Sequence, residues 1–310
     1  MSAAGRRLRA ATRGSTLARW QTDHVAGLLG EPVDVVVVET TGDRRLDVSI
    51  HQLGGQGVFV KEVQAAVLEG RADLAVHSAK DLPSTATPGL VIAAVPDRED
   101  ARDALVGARL SELAPGARVA TGSVRRRAQL AAMRPDLTFQ GLRGNIETRL
   151  AKAGVDGVDA VVVAMAALRR LGLADQASDV LAPAVMVPQV AQGALAVECR
   201  ADDEEAIARV RAIEDAAARW AVDAERAFLA RLGSGCDLPV GAYATNGQLT
   251  GLLCSLDGRV VLRRRTAGDD PVVLGEEVAA HLLDRAGGGA LLADLRSADL
   301  RSADLRSADR

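Results

Sequence analysis

The sequence predicts an α/β fold in which two α/β domains face one another across a cleft and a smaller α+β domain follows. Three observations predict it. Short β-branched runs alternate with helical segments, as in sheets covered by helices, and the alternation restarts after Pro96. Two Pro-punctuated stretches, PDREDARD (96–103) and PAVMVPQVAQGA (183–194), read as two crossings between the halves, so the start of the chain and the segment after residue 192 share a domain. Beyond Asp202 a long helical stretch is followed by period-two runs. A length of 310 residues suits about two or three domains. The implied boundaries are 1–97 with 192–214, then 98–191, then 215–292, with 293–310 as a tail.

RLRAAT near the start reads as a strand, and Ser15 N-caps a helix in which Leu17, Trp20, Val25 and Leu28 share one face before Gly30. The continuous β-branched run from Val33 to Val38 reads as a buried strand. A polar, Gly-rich stretch from Thr40 to Gly57 precedes a helix expected from Val58 to Glu69 and stopped by Gly70. DLAVHS (73–78) is another strand, and its end carries His77, Ser78, Lys80 and Asp81 at the place where open α/β sheets hold ligands. In the second half, strands are expected near 103–106, 118–121 and 159–164, with helices near 124–133, 145–153 and 166–171, which implies parallel sheets. Residues 202–231 are helical in composition and end in Gly233-Ser234-Gly235-Cys236. Runs at 248–256 and 259–266 read as strands and 275–285 as an amphipathic helix. The final stretch repeats ADLRS, and because Leu295, Leu300 and Leu305 make no clean helical stripe it reads as a dispensable low-complexity tail.

With 48% hydrophobic and 2% aromatic residues, the core is expected to be aliphatic. The longest apolar stretch, Val158 to Leu168, is interrupted by Asp159 and falls far short of the roughly 20 residues of a membrane span. No membrane association is expected. The first 22 residues hold several arginines and no acid, but no apolar signal core follows, so a cytoplasmic location is expected. Cys199, Cys236 and Cys254 cannot all pair with one another and show no zinc-ligand spacing, which argues against a disulfide scaffold and a metal site. A net charge of −3 argues against bulk nucleic-acid binding. Of 38 basic residues only Lys61, Lys80 and Lys152 are lysines, so a lysine is a departure from the chain's habit.

Cys236 lies between glycines in GSGCDLPVG, a loop setting that exposes sulfur, whereas Cys199 and Cys254 lie in apolar strand-like patterns. Arg13 follows the first strand, Lys80 the third, Arg125 to Arg127 follow the Thr121-Gly122-Ser123 turn, Arg143 and Arg149 bracket Gly144-Asn145, and Arg170 ends a short helix. On strand ends and helix starts these cations would converge on one cleft, where forked guanidiniums and the helix N-termini at Ser15 and Ser123 suit carboxylates or phosphates. Arg127 is expected to be solvated surface. The single acid in this set, Asp81, suits a ligand with its own donors or a developing positive charge.

The segments ATRGSTLARWQ, GGQGVFVKE, ADLAVHSAKDLP, ATGSVRRRAQL, LRGNIETRL, LRRLGL, VAQGALAVECR and GSGCDLPVGAYA resemble, in order, the porphobilinogen deaminase (hydroxymethylbilane synthase) family. The resemblance runs from about Arg9 to about residue 285. It implies two type II periplasmic-binding-protein-like domains around a cleft, and a third domain bearing the cysteine. Cys236 would carry a dipyrromethane cofactor through a thioether, on which four porphobilinogen molecules are deaminated and joined before hydrolytic release. Asp81 would be the catalytic acid that stabilises the azafulvenium cation. Lys80, Asp81, Thr121, Ser123, Arg125, Arg126 and Gln192 would hold the cofactor, and Arg13, Ser15, Phe59, Arg143, Arg149 and Arg170 the substrate. A monomer that passes its product to uroporphyrinogen-III synthase is also implied. Two positions depart from the family pattern: Gln56 stands where a lysine is common, and Gly122 where a hydroxyl residue is common. On residues alone two rival readings stay open, a noncatalytic anion-binding protein and a cysteine hydrolase using Cys236.

Overall fold

A computed structural model of the chain describes residues 6–40, 60–233 and 238–297. The first stretch runs β1 (Leu8–Arg13), α1 (Thr16–Leu29), β2 (Val33–Val38), α2 (Lys61–Leu68), β3 (Leu74–Ser78) and β4 (Leu90–Ala94). The second runs β5 (Asp103–Val106), β6 (Arg118–Ala120), α3 (Val124–Met133), β7 (Thr138–Gln140), α4 (Ile146–Leu150), β8 (Ala160–Ala164), α5 (Met165–Arg170) and β9 (Asp179–Leu181). The chain then returns through β10 (Leu195–Arg200), α6 (Glu204–Val210) and α7 (Ala216–Leu232), and ends with β11 (Val240–Thr245), β12 (Gln248–Cys254), β13 (Val261–Ala267) and α8 (Pro271–Ala280). Local chemistry sets these ends as expected. Ser15 accepts from the Ala18 amide at 3.3 Å to start α1, and Gly30 closes it at a φ of 67°.

The strands form two five-stranded sheets, ordered β2-β1-β3-β10-β4 and β7-β6-β8-β5-β9, and a three-stranded antiparallel sheet β11-β12-β13. The two larger sheets share one plan. Each has three parallel strands with a strand from the other crossing inserted antiparallel beside the third. This is the type II arrangement expected, but the sheets are mixed rather than parallel throughout. The reason lies at the crossings: β10 starts opposite the end of β3 (Leu195 with Ser78) and β5 opposite the end of β8 (Asp103 with Ala164). Both crossings therefore enter at the carboxyl ends of the parallel strands, where ligands bind, and must run backwards. The run Val33–Val38 is a strand, but it forms the sheet edge, and only Val38 is fully buried.

Aliphatic clusters fill both faces of each larger sheet. At the hinge the two crossings touch. The Arg98 Nε donates to the Gln192 carbonyl at 2.9 Å, and the Glu99 amide to the Gly193 carbonyl at 3.2 Å. Gly193 has a φ of 88°, and a Cβ there would stand 2.2 Å from the Glu99 carbonyl oxygen, so the approach requires glycine.

The helical stretch after Asp202 is interrupted at Arg211–Ile213, because Asp215 turns its amide to the Val95 carbonyl at 2.9 Å and restarts a helix by accepting from the Ala218 amide at 2.7 Å. On α7, Ala218, Ala221, Val222, Phe228, Leu229 and Leu232 form a buried stripe with one acid in it, Glu225. That carboxylate is fully buried yet satisfied by Arg98 at 2.7 Å and by the amides of Ala191 at 2.5 Å and Ala244 at 2.8 Å, so one side chain ties both crossings to the last domain. The same core includes Leu295, which is 7% exposed within a helix over 288–297. The start of the expected dispensable tail is thus packed: Leu295 extends a stripe begun by Leu291 and Leu292 outside the repeat. Residues 298–310 lie outside the described residues.

Candidate active site

At the end of β3 the chain makes a short turn, Ala79–Asp81. Its backbone is pinned on several sides. The Ala79 amide donates to the Ala194 carbonyl at 3.0 Å, the Leu82 amide to the Ala79 carbonyl at 3.3 Å, and the Gln189 side chain to the Lys80 carbonyl at 3.4 Å. Ser78 accepts from Gln21 at 2.8 Å. This leaves Lys80 and Asp81 half-buried at the strand end, with Arg13 and the α1 cap Ser15 at the end of neighbouring β1.

The second domain holds its charges through side chains. Ser123 caps α3 by accepting from the Arg126 amide at 3.4 Å, and Thr121 accepts from the Ser123 amide at 3.2 Å. Under that turn lies Asp103, fully buried at the start of β5. Arg125 forks onto its two oxygens at 2.7 and 3.1 Å and also donates to the Val187 carbonyl at 2.7 Å. Arg126 donates to Asp103 at 2.9 Å and to the Val162 carbonyl at 2.8 Å. Gln192, fully buried at the hinge, donates to Asp103 at 2.9 Å and to the Ala101 carbonyl at 2.7 Å. Burial alone would raise the Asp103 carboxyl, but Arg125 and Arg126 outweigh it and hold it far below the usual carboxylate range. Asp103 is the residue that sequence reasoning missed. Its one signal is an acid at the head of the apolar run DALV, where the chain was read as a crossing. At Gly122 a Cβ would lie 2.5 Å from the Leu142 carbonyl oxygen, so with this backbone no larger residue fits.

The fields of these groups show that the two domains meet. Arg149, whose Nε donates to the Gly144 carbonyl at 2.8 Å, is lowered to about 10, first by burial and then by Arg126, with Arg143 and Arg13 adding to the effect and Asp81 opposing it. Lys80 is lowered to about 8 by burial, with Asp81 and Asp103 opposing and Arg126 and Arg149 adding. Cations of both domains thus act on one another, and Asp81 and Asp103 oppose them. Arg170 is 8% exposed and lowered to about 10 by burial against the pull of Glu99. It spans the cleft base, donating to the Gly193 carbonyl at 2.6 Å and lying 6.0 Å from the centre of the Trp20 ring. Arg127 is exposed, as expected.

Cys236, Phe59 and Gln56 lie outside the described residues. Cys199 and Cys254 are fully buried, and burial pushes both thiols up to about 12, which makes them poor nucleophiles.

Comparison with known proteins converges on one family. Residues 8–208 match the model "Porphobilinogen deaminase, dipyromethane cofactor binding domain" and residues 220–284 match "Porphobilinogen deaminase, C-terminal domain". Curated relatives named porphobilinogen deaminase include that of Roseiflexus sp. (strain RS-1), 49% identical over 91% of this chain and 97% of its own, and that of Acidothermus cellulolyticus, 48% identical over 92% and 91%. The Brevibacillus brevis protein of the same name is 43% identical over 92% of this chain and 96% of its own. With matches of this extent, the chain belongs to the porphobilinogen deaminase family.

Proposed function

We propose that this protein deaminates four porphobilinogen molecules, joins them head to tail on a dipyrromethane attached to Cys236, and releases linear hydroxymethylbilane by hydrolysis. The observation that carries this reading is that Lys80 and Asp81 of the first domain and Arg126 and Arg149 of the second act on one another's charge, with Arg13 and Arg143 also acting on Arg149. The donor set fits the group. Each pyrrole brings two carboxylates, which would relieve the burial and mutual repulsion that disfavour the charges of this cationic cluster, and its ring N–H matches the half-buried acid Asp81.

The cationic side chains bind and orient the acetate and propionate arms, with the hydroxyls of Ser15, Thr121 and Ser123 as further donors. Asp81 accepts from pyrrole N–H groups and stabilises the positive charge that develops on the substrate as ammonia leaves. Asp103 and Arg125 act beneath them as a frame, because their charges are already matched to each other and fix Arg126 in place. Gln192 and Arg170 hold the hinge that sets the spacing of the two domains. When bound, the dipyrromethane supplies the pyrrole carbon to which the first substrate is joined. The protein acts as a cytoplasmic monomer. Its product is an open chain that a ring-closing enzyme, uroporphyrinogen-III synthase, must consume. Among the described residues no helix is long and apolar enough to cross a membrane. Family membership does not favour the noncatalytic or cysteine-hydrolase readings.

The test is the intact mass of Cys236→Ser beside the native chain. An alcohol is a far weaker nucleophile than a thiolate, so the variant is expected to fold, carry no pyrrole adduct and show no turnover, while Cys199→Ser and Cys254→Ser keep the adduct. An adduct on Cys236→Ser would overturn the attachment site.

A further inference from the structure

A cavity of about 260 Å³ lies between the segment that follows Asp81 and helix α7, lined on its apolar side by Leu82, Pro83 and Ile92 and on its polar side by Glu198, Arg219 and Arg226. None of the residues assigned to the cleft lines it. The three charged groups differ in what they already hold. Arg219 is matched, because its Nε donates to Glu214 at 2.5 Å and its Nη2 to the Ile92 carbonyl at 2.9 Å. Glu198 is buried and accepts from the Gln64 side chain at 2.8 Å, with the His77 Nε2 at 3.1 Å from the same oxygen. Arg226 is half-buried and has neither an ion pair nor a hydrogen bond among the described residues. Burial holds its pKa below the ordinary arginine value, with Glu198 and Asp223 opposing and Arg219 adding. A guanidinium partly removed from water with its donors unanswered is costly, and an anion in the cavity would answer them.

The lining also selects the kind of anion. One unmatched positive charge takes one negative charge, and Glu198 in the same wall disfavours a second. A planar carboxylate meets a guanidinium fork with two parallel hydrogen bonds. Leu82, Pro83 and Ile92 suit a short hydrocarbon body, and the volume lies below the roughly 300 Å³ at which sites for drug-sized ligands begin.

We propose that this cavity binds a short-chain aliphatic monocarboxylate, with the carboxylate on Arg226 and the hydrocarbon part against Leu82, Pro83 and Ile92. The site is built from other residues than the cleft and does not depend on the proposed function. Leu82 follows Asp81 directly, so the occupant rests on the segment that leaves the turn carrying Asp81.

The experiment uses the full-length chain and sodium butyrate. Phenylglyoxal modifies accessible guanidiniums, and peptide mass mapping reads Arg226 apart from the arginines of the cleft. Butyrate is expected to slow modification of Arg226 about tenfold at saturation, with half of the effect in the millimolar range. Butyramide, which has the same shape without the charge, is expected to give no protection. Arg149→Leu, altered in the cleft, keeps the protection of Arg226. Without butyrate, Arg226→Met melts at or above the native temperature, since it keeps an apolar stem and loses an unmatched charge. No protection of Arg226, or equal protection by chloride or phosphate at matched ionic strength, would overturn the proposal. So would an Arg226 that phenylglyoxal does not reach, or a protection that disappears in Arg149→Leu. A melting temperature lowered by more than about 4 °C in Arg226→Met would also overturn it, because the arginine would then have its partner within the protein.

Discussion

In the first α/β domain the charged turn Ala79–Asp81 is fixed through its backbone, by amides and carbonyls shared with Ala194 and Gln189 at the second crossing. In the second, Arg125 and Arg126 are fixed through their side chains, by one buried carboxylate, Asp103, and by the carbonyls of Val187 and Val162. The two domains share a strand order, so the difference does not come from topology. It comes from what each must present. The turn that carries the half-buried Lys80 and Asp81 is held by its main chain. A guanidinium pair held by its head groups forms a rigid floor and commits much of its hydrogen-bonding capacity to the protein. On the proposed function the charged residues of this cleft divide into those that grip, among them Lys80 and Asp81, and those that frame, Asp103 and Arg125, with Arg126 fixed by the frame.

The comparison breaks most visibly at Asp103. Replacing it with alanine leaves Arg125 and Arg126 buried without their partner, which should cost about 3–5 kcal/mol in denaturant unfolding. Activity should disappear with the fold. A loss under about 1 kcal/mol would show that the floor does not depend on this acid.

Asp81→Asn should do the reverse. Its stability should stay close to native, while kcat, normalised to protein carrying the adduct, falls about 10²- to 10³-fold with a smaller change in KM, because the interaction strengthens in the transition state. A fully loaded variant with native kcat would move Asp81 from the gripping set to the framing set.

The smallest effect concerns Lys80, whose ammonium is lowered to about 8 by burial, with Asp81 opposing. Its charge is present at pH 7 and is lost as pH rises through that value, so KM should climb above about pH 8. In Lys80→Arg this alkaline limb should be absent up to about pH 9, because a guanidinium keeps its charge there. Stability moves with the opposite sign. Between about 8 and 10.5 an unfolded Lys80 keeps a proton that the folded one has shed, so its contribution to stability rises with pH. An unchanged KM profile in Lys80→Arg would show that the ammonium does not grip carboxylates.

The residue pattern by itself determined the parts governed by local chemistry. The Ser15 and Ser123 caps, the Gly30 stop, the strand at 74–78, the two Pro-marked crossings and the clustering of cations after strands could all be read from neighbours in the chain, because capping and periodicity act over a few residues. Only the tertiary structure decided the rest. The directions of β5 and β10 depend on the end of the sheet at which the crossing chain re-enters, and alternation of strands and helices carries no record of that. Val33–Val38 has the composition of a central strand, but among the described residues it lies at the edge of its sheet, beside β1 alone. Leu295 stands alone as the apolar branched residue of a five-residue repeat and becomes core only beside Leu291 and α7. Asp103 resembles any acid in a charged crossing until folding removes it from water, and a buried carboxylate is then tolerable only because two guanidiniums, distant in sequence, arrive at the same point.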